Sequence, residues 1–166
     1  MTDDVEFTLT RTFDAPRALV WDSYTKLEHL KRWWGPKGFE WIAGTLELRP
    51  GGRFHYCMRG PNGMEMWGKF EYREIEAPQK IVFTNSFSDK EGNTARAPFA
   101  ADFPLWVLNT VTFREEAGKT ILHMRGRPFE ASEAEVAFFK SMFPSMNQGF
   151  AGTLGQLDAY LKEQTK

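Results

Sequence analysis

Residues 132–161 read SEAEVAFFKSMFPSMNQGFAGTLGQLDAYL and carry the strongest structural signal in the chain. The segment begins with a capping box, in which Ser132 and Glu135 each satisfy a backbone amide that the first helical turn leaves unpaired. Pro144 predicts a kink or break near Phe143, because proline cannot continue an uninterrupted helix. Apolar residues recur at gaps of three or four, as on one helical face, at Val136, Phe139, Phe143, Met146, Phe150, Leu154, Leu157 and Leu161. We therefore expect a long terminal helix whose apolar face must be covered.

The segment from about residue 40 to residue 128 predicts an antiparallel sheet that covers this helix. Residues 53–59 alternate polar and apolar side chains and end in Gly60-Pro-Asn-Gly63, which is typical of a hairpin turn. Further strands are predicted at residues 66–75, 81–87, 105–114 and 120–127, the last two joined by a loop over residues 115–119. Because the connections are short, the strands should pair in sequence order. Residues 88–104 predict a long loop over one rim, and a plausible lid.

The first forty residues complete the fold prediction. Residues 5–13 alternate at period two, as in a half-buried strand. Asp14 and Pro16 favour a helix start, and two short apolar faces predict two short helices that end at Gly35-Pro-Lys-Gly38. A length of 166 residues favours one domain spanning residues 1–166. The fold class is therefore α+β, a curved antiparallel sheet wrapped around a long C-terminal helix, with two short helices after the first strand.

Composition and charge exclude several classes of protein. The formal net charge is −1, so no broad basic surface exists to hold a nucleic acid. No apolar run approaches the roughly 20 residues that would span a bilayer. The first residues, MTDDVEF, are acidic where a secretory signal would be basic and then apolar. The single cysteine, Cys57, fits a reducing compartment. We therefore expect a soluble cytoplasmic protein.

Aromatic residues and methionines are abundant, with 15 Phe, 6 Trp, 4 Tyr and 7 Met, and strand parity places many of them on the face toward the terminal helix. Asn85 and Asn109 fall on the same face, where an unpaired buried amide would cost about 1–3 kcal/mol. Either they bond neighbouring backbone groups or water, or together with Tyr56 they orient a ligand. The candidate ligand-binding residues are Trp34, Phe54, Tyr56, Met58, Met66, Phe83, Asn85, Asn109, Met124, Phe139, Met142, Phe143 and Met146.

The remaining residues contain no recognisable catalytic or metal-binding motif. The three histidines lie in separate predicted elements. His55 and Cys57 share the outer strand face two positions apart, but no further cysteine could complete a metal site. We expect no metal and no cofactor, and we assign no catalytic residue. A glycine at every third position from Gly149 to Gly155 predicts close packing of the terminal helix.

Taken together, these residues resemble the START-related SRPBCC superfamily, and within it the branch of proteins like the activator of heat-shock-protein ATPase. The match follows the order of the family over nearly the whole chain and is specific as a set. The matching segments are Arg11-Thr-Phe-Asp-Ala-Pro-Arg17 with Val20-Trp21, Leu30-Lys-Arg-Trp-Trp-Gly-Pro36, Pro50-Gly-Gly-Arg-Phe54, Gly68 with Glu74-Ile75 and Pro78, Ile81-Val-Phe-Thr84, Val111-Thr-Phe113, and the terminal helix around residues 149–161.

The resemblance implies a helix-grip fold with a deep hydrophobic cavity between the sheet and the terminal helix. Members of the superfamily bind lipids, sterols or polyketides, and some catalyse cyclisation or hydrolysis. Our leading hypothesis is a binding protein for a small hydrophobic or aromatic molecule. The second is a polyketide cyclase or hydrolase that uses Tyr56, or a carboxylate such as Glu47 or Asp102, as acid or base. The third is an interaction domain that forms a homodimer or contacts a chaperone. We expect no chaperone activation, since no segment corresponds to the additional amino-terminal domain of the eukaryotic co-chaperones.

Overall fold

Eight strands form one antiparallel sheet in a computed structural model that describes residues 5–35, 38–98 and 100–165. The strands lie in the order β1-β8-β7-β5-β4-β3-β2, and β6 pairs with β5 outside this path. Their bounds are β1 Phe7–Phe13, β2 Glu40–Leu46, β3 Arg53–Arg59, β4 Glu65–Glu76, β5 Lys80–Ser88, β6 Thr94–Ala95, β7 Trp106–Glu116 and β8 Lys119–Phe129. The helices are α1 Arg17–Thr25, α2 Leu27–Trp33, α3 Glu133–Ser141 and α4 Phe143–Gln164. The predicted α+β class and helix-grip arrangement are confirmed.

The terminal helix is broken where the sequence predicts it. Helix α3 ends at Ser141, and α4 begins at Phe143 with Pro144 in its first turn, where proline leaves no helical hydrogen bond unmade. The capping box is also present: the Ser132 N–H donates to Glu135 Oε1 at 2.9 Å, and the Glu135 N–H donates to Ser132 Oγ at 3.1 Å.

Two separate clusters of buried apolar residues form the core. The large cluster joins α1, α2 and the C-terminal half of α4 to the sheet, and Val20, Phe113 and Leu157 are 0–1% exposed there. The small cluster consists of Phe7, Val107 and Phe139, which come from β1, β7 and α3. The half-buried side chains of Leu9 and Phe150 pack against both clusters. The two clusters are therefore connected through β1 and α4.

The structure corrects three local predictions. The predicted loop over residues 115–119 is a two-residue turn, in which Ala117 and Gly118 have positive φ values of 54° and 78°, as tight hairpins require. The predicted loop over residues 88–104 contains strand β6, which extends the edge of β5. The prediction that Gly149, Gly152 and Gly155 allow close packing is wrong, because a Cβ at each of them would meet no atom within 4 Å.

Candidate functional site

The register of the sheet brings polar and apolar residues together on the face toward α4. One row across the strands contains Phe54, Phe70, Asn85 and Val107. The next row contains Tyr72, Phe83, Asn109, Gly126 and Phe7. The two asparagines thus lie between Phe70 and Phe83 of the large cluster and Phe7 and Val107 of the small one.

Asn85 and Asn109 are hydrogen-bonded to each other. Asn109 Nδ2 donates to Asn85 Oδ1 at 3.0 Å and to the carbonyl oxygen of Val107 at 3.1 Å. Asn109 is only 8% exposed, whereas Asn85 is half-buried. Opposite Asn109, a Cβ on Gly126 would lie 3.0 Å from Oδ1, so the glycine provides room for the buried amide. The sequence left two alternatives open for the asparagines, bonding to neighbouring groups or orienting a ligand. The Nδ2 group of Asn109 follows the first, because it donates only to groups within the protein.

Tyr56 provides a second polar group on this face, and a second glycine accommodates it. A Cβ on Gly68 would lie 2.7 Å from the Tyr56 hydroxyl, so the ring of Tyr56 lies directly over Gly68 on the neighbouring strand. Burial raises the pKa of Tyr56 to about 12, and a hydrogen-bonding contact from Trp34 offsets this only in part. At neutral pH Tyr56 is therefore a neutral hydroxyl, suited to hydrogen bonding rather than to removing a proton.

Trp34 occupies the space between the sheet and the helices at the α2 end. Its ring lies edge-on to the rings of Phe70, Phe54 and Tyr56, with centroid distances of 5.3, 6.2 and 5.9 Å. Gln156 of α4 fixes the backbone beside it, since its Nε2 donates to the carbonyl of Gly35 at 2.7 Å. These contacts pack Trp34 against the large cluster.

A set of inner-face side chains is only half-buried. We call it the half-exposed set; it consists of Tyr56, Met66, Asn85 and Phe87 on the sheet and Met142, Phe143, Met146 and Phe150 on or beside α4. Phe143 and Phe150 contact Phe7 at centroid distances of 5.5 and 5.7 Å. Apolar area left in water costs about 25 cal/mol per Å² relative to burial, so these side chains are less stabilised than the fully buried residues of the two clusters.

The segment after β6 packs on α3 at the edge of the half-exposed set. Phe103 contacts Phe87 and Phe139, with centroid distances of 6.1 and 6.2 Å. The guanidinium of Arg96 forms an ion pair with Glu135. Hydrogen bonding from the Ser132 backbone and from Arg96 lowers the pKa of Glu135. One carboxylate therefore caps α3 and anchors the segment that was predicted as a lid.

The outer face of β3 to β5 is polar and yet buried, which the sequence did not indicate. His55, Cys57 and Lys69 are 8%, 0% and 6% exposed. The His55 ring lies tilted against the Trp67 ring at a centroid distance of 4.9 Å, and its Nε2 lies 3.2 Å from Ser88 Oγ. Burial raises the pKa of the Cys57 thiol, which disfavours the reactive thiolate. Within residues 5–35, 38–98 and 100–165, no three His, Cys, Asp or Glu side chains group together as metal ligands would.

A depression of about 370 Å³ lies on the outer side of the sheet, away from the predicted site residues. It is lined by Arg17, Glu76, Gln79, Lys80, Thr112, Phe113, Arg114, Ile121 and His123. Lys80 is already paired with Glu76 at 2.9 Å, and His123 Nδ1 lies 2.7 Å from the Thr10 hydroxyl. Since these polar groups are partnered within the protein, we place the candidate site on the inner face instead.

The carboxylates considered for an enzyme lie on the surface. Glu47 is exposed and pairs with Arg49 at 3.1 Å, and Asp102 is exposed beside β7. Over the described part of the chain, Met64 is the one large hydrophobic side chain that is mostly exposed, at 51%. None of the described helices combines the length and hydropathy that a membrane span requires.

The thirteen sequence-predicted residues divide into four groups in the structure. Trp34, Phe54, Tyr56, Phe83 and Met124 belong to the large cluster or pack on it, and Phe139, Phe143 and Met146 do so for the small one. Asn85 and Asn109 form the bonded pair between them. Met58 is buried where a Cβ on Gly35 would clash with it, while Met66 and Met142 are half-buried outside both clusters.

Four neighbours of this region are absent from the thirteen sequence-predicted ligand residues: Phe7, Phe103, Gly126 and Phe150. Parity alone indicates Phe7 and Gly126, because they continue the inner faces of β1 and β8. Phe150 belongs to the predicted helical stripe. Phe103 lies in the segment predicted as a lid, which has no periodicity, so the sequence does not indicate which side chains its ring contacts.

Comparison with known proteins agrees with this architecture. The structure resembles the crystal structure of protein Ms6760 from Mycobacterium smegmatis, with 29% identity, a TM-score of 0.77, and coverage of 96% of this chain and 91% of that chain. It also resembles the solution structure of a protein from Arthrobacter aurescens, with 28% identity, a TM-score of 0.78, and coverage of 98% and 89%. Protein NE0264 from Nitrosomonas europaea, at 21% identity and a TM-score of 0.78 over 99% of both chains, shares the fold. No curated protein matches the chain.

The family comparison covers most of the chain. The model of the family described as Activator of Hsp90 ATPase homolog 1-like protein matches residues 14–162, from the turn before α1 to the last turns of α4. The resemblance noted in the sequence is confirmed, and the chain belongs to the Activator of Hsp90 ATPase homolog 1-like family.

Proposed function

We propose that the protein binds a small hydrophobic or aromatic molecule between β3 to β5 and the N-terminal half of α4. The observation that carries this proposal is the half-exposed set, whose apolar side chains belong to the inner face yet keep access to solvent. A ligand there would remove that apolar area from water, at about 25 cal/mol per Å² before ordering costs. Ligand sites are usually apolar with a few polar groups, as this region is.

The composition of the set also fits a ligand that is apolar and variable in shape. Met66, Met142 and Met146 contribute flexible thioethers, and methionine adapts to irregular partners. Phe87 and Phe150 contribute aromatic faces and edges. The family and the fold support a ligand-binding type of domain, and Tyr56 with its raised pKa gives no support to the enzyme alternative.

The test begins with native mass spectrometry of the purified protein, to detect a co-purifying small molecule. Titration with the neutral dye N-phenyl-1-naphthylamine, whose fluorescence rises in apolar surroundings, then gives an affinity. We expect saturable binding at one site. Met146→Trp should fill the space beside α4 and abolish it, whereas the matched variant Met64→Trp, at an exposed hairpin, should not. Equal dye binding by the two variants, or no saturable binding by the wild type, would overturn the proposal.

A further inference from the structure

The polarity of the asparagine pair is fixed by a backbone carbonyl. The carbonyl oxygen of Val107 can only accept a hydrogen bond, so the atom of Asn109 that lies 3.1 Å from it must be the Nδ2 donor. The same Nδ2 also donates to Asn85 at 3.0 Å, so the facing atom of Asn85 must be its acceptor, Oδ1. An amide nitrogen has two donors, and Asn109 uses both of them inside the protein.

This chain of bonds leaves one donor group free on the inner face. With Oδ1 of Asn85 turned toward Asn109, its Nδ2 group points away from the pair. No group among the described residues accepts a hydrogen bond from it, and it is not one of the fully buried unpartnered atoms. Asn85 lies opposite Phe70 and Val107 in its row, with Phe83 and Phe87 two positions away along β5. The free Nδ2 group therefore lies among apolar side chains, of which Phe87 also belongs to the half-exposed set.

The charge of the surroundings restricts what this donor can bind. The described inner-face residues of β3, β4, β5, β7 and β8 in register with Asn85 and Asn109 carry no charge. Arg11 of β1 lies on the same face, but it pairs across to Leu122 and donates to the carbonyl of Ala151 in α4. An anionic ligand group beside Asn85 would lack a counter-charge, and burying an unpaired charge is costly.

We propose that the bound molecule presents a neutral hydrogen-bond acceptor, such as a ketone, aldehyde or amide carbonyl, to Nδ2 of Asn85. Asn109 acts as the positioning residue, since it holds Asn85 in the orientation that exposes the donor. This inference rests on the proposed function, because it needs a ligand beside the half-exposed set. It goes further in naming the chemical class: an apolar molecule with an uncharged carbonyl-type group.

The test uses two probes of the same shape, 2-acetylnaphthalene and 2-isopropenylnaphthalene, which differ only in a carbonyl oxygen against a methylene carbon. Their affinities are measured by displacement of N-phenyl-1-naphthylamine in the wild type and in Asn85→Leu. The difference in hydrophobicity between the probes cancels when the ratio of their affinities is compared between the wild type and the variant. We expect this ratio to shift by about three- to tenfold toward the alkene in Asn85→Leu, the amount expected for one neutral hydrogen bond. Asn147→Leu, at an exposed position of α4, should leave the ratio unchanged.

A second measurement uses the wild type alone, so it remains valid even if Asn85→Leu does not fold. In ¹⁵N-resolved NMR spectra, the ketone should move the side-chain amide resonances of Asn85, and the alkene should leave them in place. If both probes bind but neither the ratio nor these resonances respond to the carbonyl, the inference is wrong and the proposed function stands. If neither the dye nor either probe binds, the proposed function itself fails.

Discussion

The two halves of α4 lie against the same sheet but are packed very differently. In the C-terminal half, Leu154 and Leu157 are 1% and 0% exposed beneath α1 and α2. In the N-terminal half, Met146 and Phe150 stay half-buried although they belong to the same apolar stripe. A single amphipathic pattern therefore produces fully buried side chains at one end of the helix and half-buried ones at the other.

The difference comes from what covers each half. At the closed end, the rings of Trp21 and Tyr24 of α1 form edge-to-face contacts with Phe113, with centroid distances of 5.3 and 5.6 Å. At the open end, the cover is the short helix α3 and the segment anchored by Arg96 and Glu135. Under the proposed function, the closed half supplies stability and the open half binds the ligand.

The largest effect should come from truncating an aromatic ring at the closed end. Phe113→Ala should lower the free energy of unfolding by about 3–5 kcal/mol, because it leaves a cavity among well-packed rings. Phe150→Ala, the matched change at the open end, should cost less than about 2 kcal/mol, because that ring is already half-exposed. Urea unfolding of both variants measures the difference. Equal losses would mean that the two ends are packed alike.

The asparagine pair provides the next largest contrast. Asn109→Leu should destabilise the protein by about 1–3 kcal/mol, because the Val107 carbonyl and Asn85 Oδ1 lose their donor. Asn85→Leu should cost under about 1 kcal/mol, since Asn109 keeps its bond to Val107. A gain in stability for Asn109→Leu, with ligand affinity unchanged, would show that the pair has no role in positioning.

Glycine substitutions test the same contrast on a smaller scale. Gly152→Ala should raise the free energy of unfolding by about 0.5–1 kcal/mol, because a helical alanine is preferred and its Cβ meets open space. Gly68→Ala should lower it, because the new Cβ would lie 2.7 Å from the Tyr56 hydroxyl. Thermal or urea unfolding measures both. A stabilising Gly68→Ala would mean that Tyr56 is not held over the glycine.

The smallest effect is local and depends on pH. The pKa of Glu135 is lowered in the folded protein. The stability that its carboxylate contributes is therefore fully present above the pKa of the unfolded chain, and it is lost as pH falls through the pKa of the folded protein. Glu135→Gln keeps a capping-box residue but removes the charge that pairs with Arg96. At neutral pH this variant should exchange amide hydrogens faster than the wild type over residues 100–103, and the difference should vanish in acid. A difference that persists unchanged in acid would show that the ion pair does not anchor the segment.

Much of the fold follows from the sequence because its signals are periodic. The helical stripe, the capping box and Pro144 define the broken terminal helix, and alternation defines the inner strand faces. The turns were harder to predict, because Ala117 adopts a positive φ and the sequence does not indicate this for an alanine. The burial of Lys69 and His55 on the outer face depends on neighbours across strands, such as Trp67, which no local pattern encodes.

The sequence predicted which residues belong to the candidate site but not how they are arranged. Parity places Asn85 and Asn109 on the inner face, but it cannot indicate that they bond each other or that Val107 fixes their orientation. The sequence pattern also cannot predict how deeply each side chain is buried, because Leu157 and Phe150 occupy equivalent positions in one stripe. Their different burial depends on what the other helices and the segment after β6 cover.

Methionine methyl NMR tests the central claim, that one half of the interior is open to a ligand, most directly. Met66, Met142 and Met146 belong to the half-exposed set, Met124 lies in the large cluster, and Met64 is exposed on the outside. With ¹³C-methyl methionine, assigned by single Met→Leu variants, a titration with 2-acetylnaphthalene should give saturable shifts at the first three methyl groups and none at Met124 or Met64. Saturable shifts confined to Met64, or no saturable shift at any methionine, would contradict the account.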